Sequence, residues 1–296
     1  MNIGSSETTR EAPHTVALVN SFNFQEYVLP EHKNYLDFSF LEWFIGFSEG
    51  DGCFCSRIED NRVRLSFEIG QKDAKLIHKI RTMLGFGTVS SFTRKSERYW
   101  RYKVEDKKGI QRIMTLFNGN LVLPKKYIQF QHWVTMGKAI CPPSFLFKEQ
   151  RVHISLQTGW LSGFLEAEGC FYAAFRVKDK LFPDTWGFDQ KFTLTQKDVY
   201  GESLVLQEIT VLFQSNVKLH LVKKPTCYRI EFCSLKAHTI LVNYLSKFPF
   251  LGRKKITFRR WWRIYLRREN PLYFKNEVLT LKTITKLKKL CSQINL

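Results

Sequence analysis

No stretch of this 296-residue sequence offers the roughly 18 uncharged apolar residues that a membrane-spanning helix needs, so no membrane partner is expected. Acidic side chains are scarce. Against 46 Lys and Arg there are 27 Asp and Glu, a formal net charge of +19 at pH 7, which suits a polyanion better than an acidic protein. Cysteine is sparse and poorly spaced for metal: seven residues, with Cys53-x-Cys55 the only close pair and no second pair to complete a zinc site. Free, buried thiols in a reducing compartment are the expectation. None of the seven His has metal-ligand spacing. The N-terminus carries Glu7, Glu11 and one early arginine, Arg10, and so matches neither a secretory signal nor an Arg-rich, acid-poor transit peptide. A hydrophobic content of 44% argues against a disordered basic chain and suffices for one large domain or two ordinary ones.

What is present occurs twice. "FIGFSEGDGCF" fills 44–54 and "LSGFLEAEGCF" fills 161–171. "FEIGQKD" ending at Asp73 is echoed by "FTLTQKD" ending at Asp198, and "GFGTVSSF" (85–92) by the shorter "QSNVKLH" (214–220). Tyr102-Lys103-Val104-Glu105 answers Tyr228-Arg229-Ile230-Glu231, and "KKYIQFQHW" (125–133) answers "RKKITFRRW" (253–261). Landmarks kept in order, with slowly drifting offset, mark an internal duplication interrupted by insertions, the clearest being "KDKLFPDTWG" after the second motif. The implied organisation is an N-terminal arm (1–37), a first repeat (38–139), a linker (140–156) broken by Pro142-Pro143, a second repeat (157–269) and a helical tail (270–296).

Each half reads as αββαββα, an α+β class. A motif helix over 40–50 or 158–167 leads, and in the first half Cys53–Ile58 and Arg62–Gly70 form a hairpin about Glu59-Asp60-Asn61. The second strand alternates Arg62, Arg64, Ser66 and Glu68 with Val63, Leu65, Phe67 and Ile69. That pattern describes a half-buried antiparallel sheet with a cationic outer face.

On the motif helices Gly46 and Gly50 lie one turn apart, as do Gly163 and Ala167. Such a strip admits another helix unusually closely, and the other copy is the natural partner. Asp51 and Glu168 then meet at two helix C-termini, each repelled by the other's charge and by the negative end of the dipole. A shared divalent cation resolves the conflict, and hard oxygen ligands favour magnesium over zinc. Beside a phosphodiester such a metal activates water and stabilises the departing oxygen. Glu49 and Glu166 point about 200° away round the helix and read as structural.

These two stretches resemble the LAGLIDADG signature, in a chain similar to the single-chain, two-repeat LAGLIDADG homing endonucleases over about residues 38 to 270. The resemblance implies pseudo-twofold symmetry, saddle-shaped antiparallel sheets along the DNA major groove, and a double-strand break across the minor groove. It implies metal-binding acids at Asp51 and Glu168, with the preceding Gly50 and Ala167 in the same metal site, and glutamines near the site water at Gln71 and Gln196. Basic catalytic residues map to Lys126 and Lys254, with Lys125 and Lys255 left open as neighbours. Phe44-Ile45 stands where Leu-Ala is usual, and Ser48 replaces an aliphatic residue, which touches packing rather than chemistry. Magnesium is the expected cofactor, with manganese as substitute and calcium binding without supporting cleavage.

The strand faces nominate DNA-contacting side chains: Arg57, Arg62, Arg64, Arg101 and Lys103 in the first half, and Arg176, Lys178, Lys191, Lys218, His220 and Arg229 in the second. The leading function is a magnesium-dependent, site-specific double-strand endonuclease acting as a monomer on a long, partly palindromic target. It is intron-encoded and made inside an organelle, mitochondrion or plastid. The alternative is an RNA maturase on the same fold, with intron RNA as partner.

Overall fold

Two helices that carry the repeated motif cross at the centre of the molecule. The computed structural model describes residues 21–149, 151–177, 186–223, 226–269 and 281–295. The first central helix, α1 (Phe38–Asp51), is capped by the Asp37 carboxylate, which accepts the Phe40 N–H at 3.0 Å. Its counterpart in the second half is α5 (Trp160–Glu168). Both are largely apolar and mostly buried, as befits helices wedged between two half-domains. The glycine strips set the spacing. A Cβ on Gly46 would lie 2.0 Å from the Trp160 carbonyl oxygen, and one on Gly163 would lie 1.9 Å from that of Trp43. No side chain fits at either point.

After α1 come β1 (Gly52–Glu59), β2 (Arg62–Gln71), α2 (Ala74–Leu84), β3 (Thr88–Arg94), β4 (Glu97–Val104) and α3 (Lys107–Phe117). The second half repeats them as β5 (Gly169–Val177), β6 (Trp186–Lys197), α6 (Glu202–Leu212), β7 (His220–Lys223), β8 (Cys227–Phe232) and α7 (Leu235–Lys247). Each half then adds one more helix, α4 (Pro124–Met136) or α8 (Lys254–Glu269), beyond the αββαββα unit. The sheets are wholly antiparallel with matching orders, β1-β2-β4-β3 and β5-β6-β8-β7. The first hairpin turns at Asp60 and Asn61, both at positive φ (50° and 58°), the geometry of a type I′ turn.

The inner face of each sheet packs on its helices through aromatic rings, which accounts for many of the 26 Phe. In the first half Phe54 lies against Phe67, Phe117 and Trp133, with centroids 5.4, 5.1 and 5.3 Å away. In the second, Phe171 meets Trp261 at 5.4 Å and Phe192 meets Phe232 at 4.5 Å. Each such ring contributes about 1.5–3 kcal/mol on burial.

Backbone register corrects one repeat match. Gln71 pairs with Trp100 and Gln196 with Tyr228, so Trp100-Arg101-Tyr102-Lys103, two residues earlier than the sequence match, is the true counterpart of Tyr228-Arg229-Ile230-Glu231. Alternation every second residue lets a two-residue slip keep the face pattern, and sequence alone cannot detect it.

Residues 21–37 lie against the first half, with Phe24 and Tyr27 buried and the Asn120 side chain bonded to the backbone of Asn23. The final helix, α9 (Leu281–Ser292), packs on the second half, against β5 and α8. There it buries Leu287 and Cys291, and just beyond it the Asn295 amide bonds both backbone groups of Ala173.

Candidate active site

Both central helices stop at their acids because the next residue, Gly52 or Gly169, turns extended (φ −82° and −73°) and starts a strand. Asp51 and Glu168 therefore emerge side by side at the helix crossing. A Cβ on Gly50 would be 3.4 Å from Glu168 Oε1 and 2.3 Å from the Ala167 methyl. Burial, and next the neighbouring Glu168 charge, push the Asp51 carboxyl up to about 6; the Lys254 and Lys126 charges and a hydrogen bond from Gln71 oppose the rise.

Gln71, at the end of β2, donates from Nε2 to Asp51 Oδ2 at 2.6 Å. Gln196 holds the matching place on β6 but makes no hydrogen bond to Glu168 among the described residues. Lys126, in the first turn of α4, is buried and donates to the Gly52 carbonyl. Lys254, first residue of α8, donates to the carbonyls of Gly169 at 2.6 Å and Leu165 at 3.1 Å, with Ala167 at 3.5 Å. Burial lowers the pKa of both ammonium groups, and nearby carboxylates, Asp51 among them, partly offset it. The lysine charges that act on Asp51 are those of Lys254 and Lys126, whereas Lys125 and Lys255 sit one position round their helices.

Glu49 and Glu166 are structural acids. Glu49 Oε1 accepts the N–H groups of Val122 and Leu123 at 2.8 and 2.6 Å, and its Oε2 accepts from Trp160 Nε1. Glu166 accepts those of Leu251 and Gly252 at 2.7 and 2.6 Å. These bonds fix the segments that launch α4 and α8. Burial holds both carboxyls above the usual range, Glu49 up to about 7.

The donor set fits a hard divalent cation. It consists of two carboxylates at a small-residue crossing, and no cluster of three or more His, Cys, Asp or Glu suited to a metal occurs among the described residues. Water and a substrate phosphate are left to complete such a shell.

Strand alternation puts Arg57, Arg62, Arg64, Arg101 and Lys103 on one outer face, together with Glu68, Thr88, Ser90, Phe92, Arg94 and Tyr99. On the second sheet Arg176, Lys191, Arg229 and His220 share a face with Tyr172, Thr193, Thr195 and Lys197. Lys218 is exposed just before β7, and Lys178 lies outside the described residues. Sequence reading passed over Arg94 and Lys197; counting alternate positions from Lys103 and Lys191 through the strand pairs would have found them. Many of the cations are already paired. Lys103 meets Glu105 at 2.6 Å and Glu68 at 3.5 Å, Arg101 meets Glu68 at 3.4 Å, Arg57 meets Glu59 at 2.8 Å, and Arg176 meets Asp189 at 3.0 Å. Lys191 meets Glu231 at 2.8 Å. Such partly exposed pairs are worth about 0–1 kcal/mol each and so exchange readily for phosphate.

The thiols are free, as expected, but not generally buried. Only Cys291 is; Cys53, Cys170 and Cys233 are exposed. Cys53 and Cys170 fall on the outer faces because each follows its acid by two residues at the start of a strand.

A family model described as "LAGLIDADG endonuclease" matches residues 44–136 and 161–265. Over 234 residues, 76% of this chain, it is 32% identical to a "Probable intron-encoded endonuclease 4" of Neurospora crassa and spans 40% of that protein's length. It is 28% identical over 189 residues to the "Intron-encoded RNA maturase bI4" of Saccharomyces cerevisiae, covering 61% of this chain and 28% of that one. In fold it resembles the LAGLIDADG meganuclease I-AabMI, solved bound to uncleaved DNA, with a TM-score of 0.64 at 20% identity over 86% of this chain and 99% of that one. The meganuclease I-SmaMI, solved bound to uncleavable DNA, superposes with a TM-score of 0.68 at 15% identity over 89% and 98%. With both repeats matched, the acids at the helix crossing and two four-stranded sheets flanking them, this chain belongs to the LAGLIDADG endonuclease family.

Proposed function

We propose that the chain is a site-specific DNA endonuclease that cuts both strands of a long, partly palindromic target as a monomer, and that it is intron-encoded and acts in intron homing. The observation that carries this reading is the pairing of Asp51 with Glu168 on the pseudo-twofold axis, flanked by the buried Lys126 and the half-buried Lys254, between two outer faces rich in cations. Asp51 and Glu168 would hold magnesium, or manganese in its place, with Gly50 and Ala167 giving the room for the two acids to converge. When bound, the metal supplies activation of the attacking water and stabilisation of the departing oxygen. Gln71 orients the Asp51 carboxylate. Lys126 and Lys254 place positive charge beside the strands to be cut, where it can stabilise charge that develops on the phosphate. The paired outer-face cations exchange their carboxylates for backbone phosphates, while Arg62 and Arg64, which make no ion pair among the described residues, reach for base edges. Synthesis within an organelle belongs to this reading, supported by the likeness to intron-encoded proteins of fungi.

The test is cleavage of a randomised-target duplex library with magnesium, repeated with EDTA and with calcium. A single long site cut with magnesium, bound but uncut with calcium, and untouched with EDTA is expected. Asp51→Asn and Glu168→Gln should each abolish double-strand cleavage and leave calcium-supported affinity within a few-fold. A variant that still cuts both strands at full rate removes the assignment. The similarity to a yeast RNA maturase motivates a second reading, in which the same outer faces bind intron RNA. Tight RNA binding without any DNA cleavage would favour it.

A further inference from the structure

Two carboxylates outside the acid pair reach across the midline to the helices that carry Lys126 and Lys254. The first N–H groups of any helix lack internal partners, and Leu123, which precedes α4, has no side-chain oxygen to offer. Glu202, at the start of α6 in the second half and 1% exposed, supplies one instead. Its Oε1 accepts the Lys125 N–H at 2.7 Å, while Oε2 accepts those of Val199 and Tyr200 at 2.7 and 3.0 Å. Asp73, at the start of α2 in the first half, does the reverse. Its Oδ2 accepts the Arg253 N–H at 2.9 Å, while Oδ1 accepts those of Lys75 and Leu76 at 3.1 and 3.3 Å. Lys125 and Arg253 immediately precede Lys126 and Lys254. Each lysine-bearing helix is thus started by an acid from the opposite half, which also complements the positive end of its dipole.

The two acids are not repeat counterparts. Asp73 corresponds to Asp198 in the QKD echo, yet Asp198 spends its carboxylate on the nearby Gly201 N–H at 2.9 Å. The three residues 199–201 delay α6, and Glu202 takes the long-range bond in its place. Two unrelated positions arriving at one cross-half contact point to a role for the contact itself. Local capping would need neither acid at the midline.

We propose that Asp73 and Glu202 are positioning residues, each setting from the opposite half the placement of the lysine, Lys254 or Lys126, beside the acid pair. Resting on the nuclease reading, this makes each strand's cut depend on the half that does not hold its lysine.

The test uses Glu202→Ala and Asp73→Ala in the full chain, with Glu202→Gln and Asp73→Asn as milder variants should either alanine fail to fold. Amide hydrogen exchange should quicken at Lys125 in the Glu202 variants and at Arg253 in the Asp73 variants, and the rate of reductive methylation should rise at Lys126 or Lys254 correspondingly. On a duplex selected by the unaltered protein and labelled separately on each strand, Glu202→Ala should slow cutting of one strand by roughly tenfold to a hundredfold. Asp73→Ala should slow the other, with nicked duplex accumulating and affinity in calcium unchanged. Equal slowing of both strands, or no slowing, overturns the positioning role. Should the unaltered protein cut no DNA, the nuclease reading fails by itself. Exchange and methylation then decide the brace, and unchanged labelling of both lysines overturns it.

Discussion

In the first half Gln71 grips Asp51 at 2.6 Å and Lys126 bonds one carbonyl; in the second, Gln196 leaves Glu168 alone and Lys254 bonds two carbonyls closely and faces a third. The outer faces differ as well. Where the first sheet sets Glu68 opposite Lys103, the second sets Thr193 opposite Glu231, so the acid gives way to a neutral residue and the cation to an acid on equivalent strands. Elements, strand orders and the acid positions are shared; the contacts around them are not. The duplication has kept what must meet at the axis and let each half diverge where it faces outward. Such divergence suits a target whose two half-sites differ.

The largest effect should come from breaking the axis both halves share. Gly46→Ala and Gly163→Ala each force a methyl to within 2.0 Å of an opposing backbone oxygen, and either is expected to cost more than about 3 kcal/mol and to abolish cooperative unfolding in a thermal melt. A milder version sharpens the comparison. Gly50→Ala collides with the Ala167 methyl at 2.3 Å. It should destabilise by roughly 1–3 kcal/mol, and adding Ala167→Gly should restore most of the loss, since the helix-propensity gain at 50 and cost at 167, about 1 kcal/mol each, cancel.

The acids test the electrostatics of the crossing. Asp51 is raised to about 6 in the fold against about 3.9 in an unfolded chain, so the folded state holds its proton more tightly. Stability from this group is therefore fully present below about pH 4 and declines as pH rises to about 6. Asp51→Asn should then melt higher than the unaltered protein at pH 8 in EDTA, by about 1–3 kcal/mol, with the gain vanishing near pH 4. An equal or lower melt at pH 8 would contradict burial and Glu168 as the sources of the shift.

Smaller effects separate the halves. Gln71→Ala should slow cleavage about tenfold, as loss of one charge-assisted hydrogen bond implies, and Gln196→Ala by no more than about twofold; equal effects would mean that both glutamines engage once DNA is bound. Smallest of all, Glu68→Gln releases Arg101 from its carboxylate, while Lys103 keeps Glu105. It should tighten duplex binding only a few-fold, read by fluorescence anisotropy in calcium. Binding by either form should weaken steeply with salt.

Much of this was written locally. The turn at Asp60-Asn61, the alternation from Arg62 to Ile69, the small-residue strips and the acids that end them are short-range patterns, and each appears in the fold where periodicity put it. The structural role of Glu49 and Glu166 was legible too, because position round a helix follows from counting. The N–H groups they accept, more than seventy residues away, were not.

The amino-acid sequence by itself determined the duplicated αββαββα plan, the meeting of Asp51 with Glu168 and the cationic outer faces, since these depend on spacing within single elements. Tertiary structure alone decided that the charges of Lys126 and Lys254 rather than of their neighbours act on Asp51, that Trp100 rather than Tyr102 answers Tyr228, that thiols expected inside lie on the surface, and that Glu202 takes over from Asp198. Each of those outcomes turns on how one element sits against another, where a one-residue rotation or a two-residue slip leaves the local pattern unchanged and alters every partner.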